Sequence, residues 1–163
     1  MNPRDKGDAH GAANERGENR DFVTMTIHGQ LFGIPVLTVQ DVLGPQKITR
    51  IPLASPEVAG ALNLRGRIVT AIDVRKRLGL PNAEDGAKSM SVVVDHGGEL
   101  YSLIIDSVGE VLSLPADSFE RNPATLDPAW REVSGGVYRL KNQLLVVLDV
   151  TRLLSFNKRA EAA

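Results

Sequence analysis

A chain of 163 residues with 42% apolar residues can bury a globular core, but its formal net charge of −1 gives no field strong enough to recruit nucleic acid nonspecifically. The absence of cysteine excludes disulfides and thiolate chemistry, and leaves only histidine and carboxylate ligands for any metal. No apolar run approaches the length of a membrane span, and the first residues, MNPRDKGDAHGAANERGENR, lack the apolar centre of a signal peptide, so the chain is expected in the cytoplasm.

Residues 1–20 carry no large apolar side chain after Met1 and are expected to be a disordered tail, because they bury nothing that offsets ordering entropy. Order is expected from Asp21. Phe22 to Ile27 alternates Val23, Met25 and Ile27 against Phe22, Thr24 and Thr26, the period of a strand. His28-Gly29 turns it into a hairpin partner, Gln30 to Ile34, which Pro35 ends or places at an edge. Ser55-Pro56-Glu57 has the order of a helix start, with Ser as N-cap and Pro at the first helical position, and Gly60 stops it after one turn. Arg67 to Ile72 reads as a strand, Asp73 caps a short helix through Leu78, and Gly79 ends it. Residues 80–88 form a polar linker. Met90 to Asp95 and Leu100 to Ile105 are strands around the turn His96-Gly97-Gly98. Pro115, Pro123 and Pro128 forbid long regular structure between them. Val137 to Leu140 and Gln143 to Leu148 form a hairpin around Lys141-Asn142, and Asp149 caps a last helix reaching about Phe156.

The elements repeat. Ile72-Asp73-Val74 matches Leu148-Asp149-Val150, with Leu64 and Leu78 matching Leu140 and Leu154 at the same spacing. Upstream, Leu31 to Ile34 with Val39 to Leu43 matches Leu100 to Leu103 with Val108 to Leu112, and His28-Gly29 pairs with His96-Gly97. Periods of roughly 65 to 75 residues are too long for a solenoid and fit two small domains in tandem. Each would bury a marginal core alone, so a shared interface is expected. Many short strands with one-turn helices predict a mainly β fold of two small barrels, the first repeat at about 21–80 and the second at about 89–157. The break in sequence need not be the break in space: the first strand of one copy has room to cross to the other barrel. Residues 158–163 are expected to be a flexible end.

Catalytic chemistry finds no foothold. His28 and His96 sit beside turn glycines with no carboxylate at ligand spacing, which predicts turn histidines and no metal. Asp73 and Asp149 each precede a short helix and read as caps, not as a pair of acids. No phosphate-binding loop and no nucleophile elbow occurs, so neither cofactor nor catalysis is expected. The one basic concentration is Arg65, Arg67, Arg75, Lys76 and Arg77. The last three suit a solvated helix C-terminus. Arg65 stands apart at a hairpin tip, where a planar guanidinium can donate several hydrogen bonds to a partner; the second copy has Lys141 there.

Asn63-Leu64-Arg65-Gly66 followed by Ile72-Asp73-Val74-Arg75 resembles the signature of the CheW family of chemotaxis coupling proteins. The resemblance extends colinearly over about 21–156, through Phe32-Gly33-Ile34, Val39-Gln40-Asp41-Val42, Thr49-Arg50-Ile51, Asp106-Ser107-Val108 and Val111-Leu112-Ser113-Leu114. It implies two tandem SH3-like five-stranded β-barrels, and a non-enzymatic adaptor. Such an adaptor joins the cytoplasmic tips of methyl-accepting chemotaxis receptors to the regulatory domain of the kinase CheA. It is a monomer when free and reaches the membrane only through receptor arrays. Carried over, the receptor groove includes Val39, Asp41, Arg65, Met90, Val108 and Val111. The valines and Met90 suit an amphipathic helix, while Arg65 and Asp41 set its orientation by charge. Core packing is an equal reading for Val39, Val108 and Val111. No residues are assigned to the kinase contact. Thr70 stands where the family usually has Pro, and Asp41 where Glu is frequent. A non-chemotaxis array is the second reading, and a small ligand-binding or enzymatic barrel a distant third.

Overall fold

The computed structural model describes residues 18–156; the expectations for 1–17 and 157–163 lie outside the described residues. The first strand, β1 (Asn19–Ile27), starts two residues before the expected Asp21, because Asn19 and Arg20 pair with Pro115 and Leu114. It is followed by β2 (Gln30–Pro35), a 3-10 turn (Val36–Thr38), β3 (Val39–Leu43), β4 (Val58–Leu64), β5 (Arg67–Asp73) and α1 (Val74–Arg77). Then come β6 (Met90–His96), β7 (Glu99–Ile105), β8 (Ser107–Pro115), a 3-10 turn (Ala116–Ser118), α2 (Pro128–Val133), β9 (Ser134–Arg139), β10 (Leu144–Leu148) and α3 (Val150–Leu153).

These strands make two five-stranded sheets of the same plan, β8-β1-β2-β10-β9 and β3-β6-β7-β5-β4. In each, a hairpin sits against an edge strand on one side and, through one parallel pairing, against a second hairpin on the other. The exchanged unit is a whole hairpin, not one strand. β1–β2 joins β8–β10, and β6–β7 joins β3–β5, so each repeat lends its first two strands to the other barrel's plan. The chain changes sheet only at Val36–Thr38 and at Asp106.

Each sheet curls until its ends meet across a single bridge, Thr49 to Ala61 in one and Glu120 to Val137 in the other. Both closures depend on a glycine beside the bridge. Gly60, at φ 150°, faces the Thr49 carbonyl, and Gly136, at φ 153°, faces the Phe119 ring and the Glu120 carbonyl. A side chain there would occupy the space the bridging backbone needs.

The largest hydrophobic cluster belongs to neither barrel alone. Met25, Phe32, Ile34, Val146 and Leu148 from one sheet meet Ile72, Val92, Val94, Leu103 and Ile105 from the other, all fully or nearly fully buried. Smaller clusters lie on the other face of each sheet: Phe22, Tyr138, Leu145 and Val147 in one, Leu62, Val69 and Ala71 in the other. Tyr138 lies edge-on to Phe22 and tilted to Phe119, at 5.4 and 5.3 Å between centroids. Central strands therefore bury both faces, which is why Phe22 and Thr24 are as hidden as their neighbours in β1 despite the alternating pattern. Each fully buried large apolar side chain contributes about 1.5–3 kcal/mol, so the shared cluster binds the barrels into one unit.

Asp73 and Asp149 cap α1 and α3 as expected, accepting from the backbone N–H of Lys76 at 3.1 Å and of Arg152 at 3.2 Å. The helix expected at Ser55-Pro56-Glu57 does not form. Those residues make a turn in which the Val58 N–H reaches the Ser55 carbonyl at 2.9 Å, and β4 begins at Val58, leaving no length for an α-helical turn. Gly60, expected as the helix stop, lies inside that strand. Around the prolines of the second copy regular structure stays short: Pro128 opens the six-residue α2, with Asp127 as cap accepting from the Ala129 N–H at 2.8 Å.

Candidate functional site

β3 and β8 are each an edge strand of their sheet, and each carries a bulge at the same place in the repeat. In β3 the register against β6 shifts between Val39 and Asp41. In β8 the two residues Gly109 and Glu110 oppose Thr24 alone, and the Thr24 hydroxyl donates to the Glu110 carbonyl at 2.6 Å. Bulges turn side chains out of the alternation of a flat strand. Here they bring Asp41 toward the β4–β5 hairpin and leave Val111 exposed to 57%.

That hairpin turns in two residues. Arg65 at φ 52° and Gly66 at φ 85° are both left-handed, and the Asn63 side-chain oxygen accepts from the Gly66 N–H at 2.9 Å. Two-residue turns of this hand match the twist of the strands, but a left-handed arginine costs about 1 kcal/mol. Its side chain is 77% exposed, and its terminal nitrogen lies 2.9 Å from Asp41 Oδ2. The other Asp41 oxygen accepts from the Val42 N–H at 2.9 Å. A shallow cavity of about 180 Å³ lies beside the pair, lined by Leu64, Arg67, Val93 and Leu100 among others.

Of the six residues carried over to the groove, the ion pair joins Asp41 and Arg65. Val39 and Asp41 share β3, and Val108 and Val111 share β8. Val39 and Val108 are half-buried and pack against the shared core, so both have a structural role whatever else they touch. Met90 is the half-buried first residue of β6, opposite Ile105 and adjacent to the Ser91–Leu43 pair. No hydrogen bond or ion pair among the described residues joins Arg65 to β8.

Of the basic stretch after Asp73, Lys76 is exposed as at a solvated helix end, but Arg75 and Arg77 are engaged. Arg75 grips the Asp106 carboxylate with two nitrogens, at 2.8 and 2.5 Å, and donates to the Pro81 carbonyl at 2.8 Å. The same carboxylate accepts from the His28 N–H at 2.9 Å. The Arg75 guanidinium holds Asp106 below the ordinary carboxylate range, with burial opposing and the His28 N–H assisting. Arg77 is 7% exposed. It donates to the carbonyls of Leu153 at 2.8 Å and Arg152 at 3.0 Å, and lies over the Phe156 ring at 5.7 Å. Arg77 thus reaches from the helix after β5 to the end of the other barrel, and Arg75 to Asp106, where the chain changes sheet. Spacing alone could not reveal this, since their acceptors are distant in sequence.

Three exposed apolar side chains lie outside the residues singled out from the sequence: Leu37 at 95%, Leu53 at 105% and Ile68 at 71%. Leu53 sits at φ 63°, a conformation rare for a leucine. The available signal was the run Pro52-Leu53-Ala54-Ser55-Pro56, whose prolines deny the segment a strand partner. Among the described residues no three histidine or acidic side chains cluster to hold a metal, and no helix is long and apolar enough to cross a membrane.

Residues 21–158 match the family model described as CheW-like domain. The chain is 28% identical over 141 residues to the chemotaxis protein CheW of Klebsiella aerogenes, covering 86% of this chain and 85% of that one. It is 25% identical over 133 residues to CheW of Helicobacter pylori, covering 82% and 80%. Among solved structures it is similar to the scaffolding protein TtCheW of Thermoanaerobacter tengcongensis, with a TM-score of 0.76 and 26% identity over 85% of this chain and 94% of that one.

Proposed function

The chain belongs to the CheW-like family, and from that premise we propose that it is the adaptor that couples methyl-accepting chemotaxis receptors to the histidine kinase CheA. It is a chemotaxis coupling protein of scaffold type, like its named relatives. The finer reading is that a receptor's cytoplasmic helix lies between β3 and β8, along Val39, Asp41, Arg65, Met90, Val108 and Val111, while CheA docks elsewhere. In this reading the protein catalyses nothing, is a monomer when free, and meets the membrane only through receptors.

The observation that carries it is the Asp41–Arg65 pair. A guanidinium is held on a strained two-residue turn against β3, anchored through one nitrogen and mostly exposed. Strain retained at an exposed position that does nothing for the core marks a residue kept for contact. The remaining donors fit a carboxylate or a helix-end carbonyl of a partner. Val111 on β8 offers exposed apolar surface.

Arg65→Ala tests it. Receptor-tip binding by the purified full chain should weaken by about 2 kcal/mol, tenfold to several tens of fold, with CheA binding little changed. Arg65→Gly sharpens the result, since it removes the guanidinium and relieves the left-handed strain. It should raise unfolding stability by about 1 kcal/mol while binding receptor no better than Arg65→Ala. Normal receptor binding by either variant would overturn the assignment.

A further inference from the structure

The repeat makes the two sides of the inter-barrel seam equivalent, and the structure fills them differently. On one side His28, Asp106 and Arg75 lock together. The matching positions on the other side are Gly97, Leu37 and Thr151: the two-residue turns are His28-Gly29 and Gly97-Gly98. The carboxylate that would grip is replaced by a leucine, and that leucine is 95% exposed. Two cavities flank it and share Pro35 as a wall, one of about 530 Å³ and one of about 310 Å³. The larger is faced with Phe22, Val36, Phe119 and Val147 beside Leu37. Apolar surface of this kind at a solvent boundary marks a protein contact.

The charge around it is net acidic among the described residues. Glu18 and Asp21 stand at the larger cavity, with Arg20 the one full cation among the described lining residues. Asp95 and Asp149 stand at the smaller one, with His96. Asp95 Oδ1 is engaged by the Gly98 N–H and Asp149 Oδ1 by the Arg152 N–H, while Arg152 approaches the second Asp149 oxygen only to 3.9 Å. Both carboxylates therefore retain accepting capacity toward the cavity.

We propose that the open seam around Leu37 is a docking site for a short segment of another protein that combines large apolar side chains with Lys or Arg. An apolar anchor enters beside Leu37 and Phe119, and the flanking cations meet Asp21, Asp95 and Asp149. This surface adjoins the start of β3 but includes none of the six residues of the receptor reading.

The test uses the full chain and a synthetic peptide in which Leu and Phe alternate with Lys and Arg, against the same peptide with Glu in place of the cations. Amide shifts in the NMR spectrum should move for Phe22, Leu37, Asp95 and Phe119 with the basic peptide and stay still with the acidic one. Leu37→Asp, at an exposed position, should melt like the parent and weaken the basic peptide about tenfold or more. Asp95→Asn should weaken it less, and Leu53→Asp, on a different surface, not at all. Arg65→Ala should leave it unchanged, so failure of the receptor reading and failure of this one are distinguishable. Equal binding of both peptides, shifts spread over the whole surface, or no binding would overturn the proposal. So would a Leu37-dependent dimer in sedimentation, which would make a second copy the occupant. A chain ending at Phe156 that binds about tenfold tighter would equally overturn it, by making this chain's own last residues the occupant.

Discussion

One side of the inter-barrel seam is tied by Asp106 to Arg75 and to the turn at His28, whereas the other side has Leu37 in the same position, pointing into solvent. The two repeats agree in three backbone features. Both have a bulge in the outer strand, an aspartate capping the helix after the last strand, and a glycine at the barrel closure. They differ in the side chains that cross from one barrel to the other. Backbone geometry sets whether a barrel can close at all, so both copies need it. Crossing contacts set only how the barrels hold each other, so one copy can supply them and leave the other free for contact.

The largest effect should come from the closures. Gly60→Ala places a methyl against the Thr49 carbonyl and Ile48, and nothing there can rotate away except one methyl of Ile48. It should destabilise by about 3 kcal/mol or more in urea unfolding. Gly136→Ala meets the Phe119 ring first and should cost somewhat less, although the Glu120 carbonyl limits the relief. If both are tolerated, the closures are not steric and the equivalence fails at its base.

Next is Arg77, whose equivalent in the second copy is the fully buried Leu153. Arg77→Met should lower stability by about 2 kcal/mol, because two carbonyls at the end of α3 lose a buried charged donor. A change near zero would mean that water or another donor replaces it, and that the crossing contact is dispensable.

Asp73→Ala and Asp149→Ala should each cost about 1 kcal/mol, and by the same amount, since their cap geometries match. Unequal losses in urea unfolding would show that one of the carboxylates serves something besides its helix.

The smallest effect is pH-dependent. Asp106 has a lowered pKa in the fold, caused first by Arg75. Its contribution is present above the unfolded carboxylate value of about 4 and is lost as pH falls through the lower folded value. Asp106→Asn should remove about 1 kcal/mol at neutral pH and flatten the loss of stability below about pH 4. An unchanged acid profile would show that the Asp106–Arg75 grip adds nothing over solvent.

Local features were legible in the sequence because local chemistry decides them. The caps at Asp73 and Asp149, the tight turns and the period-two strands each rest on a few adjacent residues. The double barrel was legible through the repeat. The exchange of whole hairpins was not, because β1 satisfies either partner by pattern alone and only the shared core selects β8. For the candidate site, Arg65 stood out from its place in Asn63-Leu64-Arg65-Gly66, but its partner Asp41 is brought to it by a bulge, which shifts register without leaving a residue-type mark. The run Ser55-Pro56-Glu57 misled because cap residues also suit an ordinary turn when a strand follows at once.

The hairpin exchange has a consequence for how the protein is made. Val39 to Ile105 holds every strand of one barrel in a single stretch, whereas the other barrel needs both ends of the chain, with Asn19 paired to Pro115. During synthesis from the N-terminus, β1 and β2 leave the ribosome first and find their flanking strands last. For most of that interval their outer hydrogen-bonding edges stay open, a template for pairing with a neighbouring nascent chain. The contiguous barrel can close in the meantime, but the shared core, and with it most of the burial, waits for β10.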